Sequence, residues 1–225
     1  MIKDNIEAIL KNIEQSKAID TDVLLVAVSK YRDIESIKQV YDAGIKHMAE
    51  NRVQEFLDKY EALPKDISWH MIGHVQTNKV KYIIGKVCLI HSLDSIHLAE
   101  EIARQSKKND IQSDVLLQIN IAKEASKYGF EKEEIYDAMK QISRMNNINI
   151  KGLMCIAPLD ATENELNNYF CDMKNIYEQS KIMYNTNKAE MKYLSMGMSN
   201  DYITAVKNGA NVVRIGSAIF NSEKG

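Results

Sequence analysis

The stretch Leu24-Leu25-Val26-Ala27-Val28-Ser29-Lys30 is apolar at five consecutive positions and ends in a serine and a lysine. A strand that is apolar on both faces is typical of a parallel sheet covered by helices on each side. In such sheets, ligands bind beyond the carboxyl ends of the strands. The stretch therefore predicts an α/β fold with Lys30 at the ligand-binding edge, either as a solvated strand-end lysine or as a lysine that forms a Schiff base.

Short apolar runs alternate with helical segments along the rest of the chain. Strands are predicted at residues 23–28, 45–49, 68–72, 87–91, 114–119, 150–154, 192–195 and 211–215. Helices are predicted between them at residues 34–43, 53–63, 77–84, 95–107, 132–145, 163–183 and 201–208. Eight strands are more than most open doubly wound sheets contain, so the pattern favours a (βα)8 TIM-type barrel.

A further helix is predicted at residues 5–17, before the first strand. Only residues 216–225 follow the last predicted strand, which is too few for a full closing helix, so we expect the leading helix to cover that gap. The Asn-rich residues 146–149 are expected to form a turn. Because no linker-like stretch interrupts the chain, we expect a single domain over residues 1–225.

Composition excludes several classes of function. The chain has 29 Lys and Arg against 31 Asp and Glu, with no dense basic block, so nucleic acid is not an expected partner. The three cysteines Cys88, Cys155 and Cys171 include no CxxC pair, which argues against a disulfide framework and favours a reducing cytoplasm. The N-terminus is amphipathic and acidic and no long apolar span exists, so neither export nor membrane insertion is expected.

Small and polar residues follow the last two predicted strands. The loop after the seventh strand reads Ser195-Met196-Gly197-Met198-Ser199-Asn200-Asp201, and Gly216-Ser217 follows the eighth. In barrels of this kind, these two loops often hold phosphate through backbone N–H groups. Each loop alone would fit an ordinary strand-to-helix turn, but together they favour a phosphate site.

Arg214 lies within the eighth strand, on the same face as Val212 and Gly216. A buried arginine needs hydrogen-bond acceptors, which here are either a core carboxylate or a ligand. Barrel closure brings its strand beside the strand of Lys30. After the second strand, Asn51 offers a donor and an acceptor to a ligand or caps the next helix, and Glu50 is available to pair with Lys30 or Arg214.

His70 and His74 are four residues apart, a spacing that converges on one metal ion only within a helix. Because the pattern there predicts a strand followed by a loop, we expect no metal site, and His70 is expected to line the barrel or to orient a neighbour. The sequence contains no GxSxG elbow, no Walker loop and no GxGxxG after the first strand. Hydrolase, nucleotidase and dinucleotide-binding functions therefore lack support.

Seven motifs in this order resemble the pyridoxal phosphate homeostasis protein family, single-domain relatives of the alanine racemase N-terminal barrel. They are Val26-Ala27-Val28-Ser29-Lys30, Glu50-Asn51-Arg52-Val53-Gln54-Glu55, Trp69-His70-Met71-Ile72-Gly73, Gln76-Thr77-Asn78-Lys79, Gly152-Leu153-Met154, Ser195-Met196-Gly197-Met198-Ser199 and Val213-Arg214-Ile215-Gly216-Ser217. The resemblance covers essentially the whole chain.

The resemblance implies that pyridoxal 5'-phosphate is the cofactor and that Lys30 holds it as an internal aldimine. Arg214 would face the pyridine nitrogen and Asn51 would lie beside the ring. The residues implied to bind around the phosphate are Met198, Ser199, Gly216 and Ser217, with His70 and Met154 as pocket lining.

Alanine racemases carry a second domain that contributes a catalytic tyrosine, and only ten residues follow Ile215 here. We therefore expect a monomeric, cytoplasmic protein that binds pyridoxal phosphate for vitamin B6 homeostasis, with no catalytic residues, and that passes it to apo-enzymes. The alternative is a small pyridoxal phosphate-dependent amino-acid racemase, and a third is a barrel that binds another phosphorylated metabolite.

Overall fold

The computed structural model describes residues 1–18, 21–124, 128–184 and 189–221. The strands close into one barrel in chain order, and each neighbouring pair, including β1 with β8, is parallel. They are β1 (Leu24–Val28), β2 (His47–Glu50), β3 (Ser68–Met71), β4 (Leu89–Leu93), β5 (Ser113–Ile119), β6 (Ile148–Cys155), β7 (Ala189–Ser195) and β8 (Val212–Ile215). The predicted barrel is confirmed, although the predicted domain end at residue 225 lies outside the described residues.

Helices alternate with the strands on the outside of the barrel. They are α1 (Ile2–Ser16), α2 (Ile34–Asp42), α3 (Val53–Ala62), α4 (Val80–Ile83), α5 (Ile96–Lys108), α6 (Ile135–Ile142), α7 (Glu163–Met183), α8 (Tyr202–Lys207) and α9 (Ser217–Phe220). The predicted helices at residues 77–84 and 132–145 both begin as 3-10 turns, Thr77–Lys79 and Lys132–Glu134. In the described residues, no helix is both long and apolar enough to span a membrane.

The Asn-rich turn is shorter than predicted. Asn147 adopts a φ of 63° and makes the turn, but Ile148 and Asn149 already belong to β6. The side chain of Asn149 donates to Asp114 of β5 at 2.9 Å, and Ile148 is buried. Cross-strand pairing therefore outweighs the turn preference of asparagine at this position.

The leading helix packs in the outer layer against α8, α9 and α2, where only the short α9 follows β8 among the described residues. Its buried residues are Ile6, Ile9 and Ile13. Asn5 donates through its side chain to the carbonyl of Ile219 in α9 at 2.9 Å, and Asn12 donates to the Tyr202 hydroxyl in α8 at 2.9 Å. The prediction that the leading helix covers the gap after the eighth strand is confirmed.

Side chains of the strands alternate between two environments. In β1, Leu25 and Ala27 join the large core between the strands and the helices, whereas Val26 and Val28 join Val212 of β8 in a separate cluster. The second cluster lies inside the barrel, because alternate residues of a strand face opposite sides. The same alternation assigns Lys30 and Arg214 to the interior side.

Candidate functional site

Lys30 and Asn51 lie side by side at the carboxyl ends of the first two strands. Val28 pairs with Ala49 across β1 and β2, so Lys30 and Asn51, each two positions further along, are level with one another. Lys30 is exposed and Asn51 is partly buried. The predicted neighbourhood of an accessible amine and an amide at the barrel mouth is therefore present.

A buried ion pair supports the loop that carries Lys30. The Lys59 ammonium of α3 lies 2.5 Å from the Glu50 carboxylate and donates to the Ser29 carbonyl at 2.7 Å. The Ser29 hydroxyl donates to the same carboxylate at 2.7 Å. The expectation that Glu50 pairs with Lys30 or Arg214 is wrong, because Glu50 points out of the barrel towards α3.

The loops after β7 and β8 meet beside the end of β1. The Ser199 hydroxyl accepts hydrogen bonds from the backbone N–H groups of Gly216 at 3.3 Å and Ala218 at 3.2 Å. A Cβ atom at Gly216 would lie only 3.2 Å from the Val28 carbonyl oxygen, so glycine keeps this junction open. Ser217 is exposed and Met198 is partly buried at the same end.

Arg214 lies deeper in the barrel than Lys30. It pairs in register with Val26, four positions before Lys30, which corresponds to about 13 Å along the strand at about 3.3 Å per residue. Its guanidinium is buried and donates to the Ser195 hydroxyl at 2.6 Å and to the Cys155 carbonyl at 2.8 Å. Both of these partners are neutral.

No carboxylate forms an ion pair with Arg214 in the described residues. The charge of Asp201 reaches Arg214 only at longer range, and burial lowers the pKa of the guanidinium from its ordinary value. The alternative of a core arginine–carboxylate pair is therefore wrong for this part of the chain. A buried cation held by neutral groups is suited to an acceptor on a ligand.

Three histidines connect the interior of the barrel to Arg214. His47 Nδ1 lies 2.9 Å from His70 Nε2, and His70 Nδ1 lies 2.9 Å from His91 Nε2. His91 Nδ1 lies 2.9 Å from the hydroxyl of Ser195, which also accepts from Arg214. Burial lowers the pKa of His70 to about 3 and that of His91 well below its usual range, so both rings are neutral.

Sequence reasoning did not identify this histidine chain, which comprises His47, His70, His91 and Ser195. His70 is buried and held by these hydrogen bonds inside the barrel, and its role as pocket lining stays a prediction. Met154, the other predicted lining residue, is fully buried inside the barrel and pairs in register with Ser195. His74 does not converge with His70, because it contacts Asp94 through Nδ1 at 2.5 Å.

Two surface cavities of about 470 and 520 Å³ lie at the opposite end of the barrel, at the amino ends of the strands. Neither is lined by Lys30, Asn51, Ser199 or Gly216. The candidate site at the mouth is identified by its amine, amide and backbone donors.

The family model described as the alanine racemase N-terminal domain matches residues 5–224. A curated relative, the pyridoxal phosphate homeostasis protein of Aquifex aeolicus, is 40% identical over 220 residues, which cover 97% of this chain and 95% of that protein. The protein of the same name from Schizosaccharomyces pombe is 34% identical over 219 residues, 96% of this chain and 91% of its own length.

Among solved structures, PipY of Synechococcus elongatus with PLP bound is similar to this chain with a TM-score of 0.85 and 31% identity. The likeness covers 98% of this chain and 100% of PipY. The alanine racemase of Clostridium difficile is 17% identical with a TM-score of 0.71, and the match covers 99% of this chain but 57% of the racemase. That second likeness shows a shared fold.

Proposed function

We propose that this chain, which belongs to the pyridoxal phosphate homeostasis protein family, binds pyridoxal 5'-phosphate at the carboxyl end of its barrel and takes part in vitamin B6 homeostasis. The observation that carries the proposal is the combination of an exposed amine, Lys30, beside two donor-rich loops and above a buried arginine that lacks an ion pair among the described residues. The likeness to the PLP-bound PipY supports the same ligand.

The phosphate is assigned to the loops after β7 and β8. The N–H groups of Gly216 and Ala218 already converge on the Ser199 hydroxyl, and phosphate oxygens accept from donors of this kind. Ser217 offers a further hydroxyl, and Met198 lies in the same loop as Ser199. Gly216 leaves room beside Val28, where a larger residue would crowd the junction.

Lys30 is assigned as the residue that bonds to the cofactor. Lys30 would hold the cofactor through a C=N bond formed between its amine and the aldehyde with release of water. The reaction reverses through hydrolysis or exchange with another amine. The ion pair of Glu50 and Lys59, together with Ser29, fixes the backbone next to Lys30 and so limits where the amine can reach.

Arg214 is assigned to the pyridine nitrogen, with Asn51 beside the ring. Pyridoxal phosphate supplies an aldehyde and a ring that withdraws electrons when its nitrogen is protonated. An arginine donates to that nitrogen and remains charged, so the nitrogen stays unprotonated and withdraws electrons less strongly. This partner weakens the ring as an electron sink for carbanions, but Arg214 alone does not exclude catalysis.

A reversible bond to Lys30 suits a cofactor buffer that limits free aldehyde and releases it to apo-enzymes. We propose this role for a cytoplasmic monomer that does not catalyse amino-acid turnover efficiently. Incubation of the loaded protein with single enantiomers of alanine and serine tests the last point. Racemisation faster than that catalysed by free cofactor would contradict the carrier function and would identify the protein as a racemase.

The central experiment is the visible absorption spectrum of the purified protein before and after borohydride, followed by peptide mapping of the reduced lysine. We expect the label on Lys30 and a loss of the visible band in Lys30→Ala. The control is Lys38→Ala, which removes an exposed lysine of α2 and should leave the band unchanged. A label on another lysine, or an unchanged band in Lys30→Ala, would overturn the assignment.

A further inference from the structure

Three residues with metal-binding side chains meet at the amino end of the barrel, away from the proposed cofactor site. They are His47, His70 and Cys88, and one ligand atom of each lies within 4.8 Å of the other two. They come from β2, from β3 and from the residue just before β4, so three adjacent strands hold them. Spacing along the chain does not reveal this proximity, which depends on the register between strands.

The separations resemble those of a tetrahedral zinc site. Zn–N bonds of about 2.0–2.1 Å and a Zn–S bond of about 2.3 Å imply about 3.3 Å between two nitrogens and about 3.6 Å between nitrogen and sulfur. The observed distances are 2.9 Å from His47 Nδ1 to His70 Nε2 and 3.5 Å from Cys88 Sγ to His70 Nε2. Binding of an ion would require the two nitrogens to move apart by about 0.4 Å and both rings to turn so that their lone pairs point at the ion.

We propose that His47, His70 and Cys88 bind a zinc-like divalent transition-metal ion at the amino end of the barrel. Two imidazoles and a thiolate favour zinc over magnesium or calcium, which prefer oxygen ligands. The ion reaches the site from solvent, since Cys88 is exposed and His47 is only partly buried. The Cys88 thiol loses its proton to solvent on binding, and water takes the fourth position.

The surroundings of Cys88 are open on one side. A cavity of about 520 Å³ is lined by Cys88, Asp114 and Asn149, among others. Burial, with a smaller contribution from the Asp114 carboxylate, raises the pKa of the Cys88 thiol to about 12, so a bound cation must replace the thiol proton. Lys151 also lines the cavity, but its ammonium is paired with Glu190 at 2.9 Å.

A metal ion at this end fixes the direction in which hydrogen bonds are donated along the histidine chain. An ion on His70 Nε2 requires the ring hydrogen on Nδ1, which then donates to His91 Nε2. His91 must in turn donate from Nδ1 to the Ser195 hydroxyl. Without an ion, the hydrogen bonds of the chain can also be donated in the opposite direction. In that arrangement the Ser195 hydroxyl donates to His91 Nδ1 while it accepts from Arg214.

The site is tested with cobalt and zinc on chelator-treated, reduced protein. We expect one cobalt ion per chain with the absorption of a thiolate-bound, tetrahedral ion, and we expect zinc to displace it. Cys88→Ser should abolish the thiolate absorption, whereas Cys171→Ser, which removes an exposed cysteine of α7, should not. Cobalt binding without thiolate absorption, or an unchanged spectrum in Cys88→Ser, would overturn the site.

A second pair of variants tests the imidazoles. His47→Asn should weaken zinc binding by at least about 10-fold, since even the loss of groups outside the ligand shell costs about 10–100-fold. His97→Asn, on the exposed surface of α5, is the matched control and should bind normally. Equal affinities in the two variants would overturn the role of His47.

The metal experiments are repeated in Lys30→Ala, so that their outcome does not depend on the bound cofactor. Ring-nitrogen NMR of labelled histidine then reports where each hydrogen lies. We expect zinc to place the hydrogens of His70 and His91 on Nδ1. Zinc binding that leaves both tautomers unchanged would overturn the link to Ser195.

Discussion

Replacement of Lys59 by methionine would leave the Glu50 carboxylate buried without its cationic partner. The side chain of Glu50 is fully buried and that of Lys59 is 8% exposed, with 2.5 Å between the charged atoms. Loss of one partner from a buried pair costs about 3–5 kcal/mol, because the remaining charge cannot return to water. We expect Lys59→Met to lower the free energy of unfolding by about this amount.

The assay is urea unfolding of the metal-free and cofactor-free protein, with the slope of each transition checked for constancy. The control is Lys46→Met, which breaks the exposed pair with Asp66, whose side chain is 49% exposed, and should change stability much less because solvent screens exposed pairs. The double variant Glu50→Gln, Lys59→Met removes both charges and should recover part of the loss. A Lys59→Met protein no less stable than Lys46→Met would refute the reasoning.

Three further substitutions test the barrel and its mouth. Gly152→Ala should prevent correct pairing of β6 with β7, since its Cβ would lie 1.8 Å from the Tyr193 carbonyl oxygen, and circular dichroism should show the loss of structure. Gly216→Ala should weaken cofactor retention, measured by equilibrium dialysis, at a stability cost of about 1–3 kcal/mol for overpacking. Arg214→Gln should change the visible spectrum of the loaded protein. Its free energy of unfolding should change by less than about 2 kcal/mol, because removal of a buried charge offsets the loss of two charge-assisted hydrogen bonds. A larger loss of stability in urea unfolding would contradict this assignment.

The barrel could be predicted because each of its strands is recognisable from the local sequence. The run before Lys30 is apolar on both faces, and short runs rich in apolar residues recur at the other strand positions, although some carry a polar residue such as His70 or Arg214. Parallel strands place their carboxyl ends at one edge, so Lys30, Asn51, Ser199 and Gly216 could be brought together without knowledge of the register. The exposed amine and the contact between Ser199 and Gly216 agree with that reasoning.

The register between neighbouring strands and the partners of the buried charged side chains could not be predicted from the sequence. Lys59 looks like one more charged residue on an amphipathic helix, and only the packing of α3 on β2 brings it to Glu50. Arg214 was assigned to the correct face, but its depth depends on the pairing with Val26. These quantities follow from how far each strand is staggered against the next, which periodicity does not encode.

The histidine chain connects the amino end of the barrel to Ser195 through hydrogen bonds, which apolar core layers cannot do. Side chains that fill a barrel are usually branched and apolar, and buried imidazoles are tolerated only when their nitrogens have partners. Here each ring of His70 and His91 contacts a partner at both nitrogens. A neutral ring carries one hydrogen, so it must donate at one nitrogen and accept at the other. The direction in which hydrogen bonds are donated at His47 therefore fixes the direction at Ser195. A change of tautomer at the amino end of the barrel alters the hydrogen bonding of Ser195, which accepts from Arg214, without any movement of the backbone.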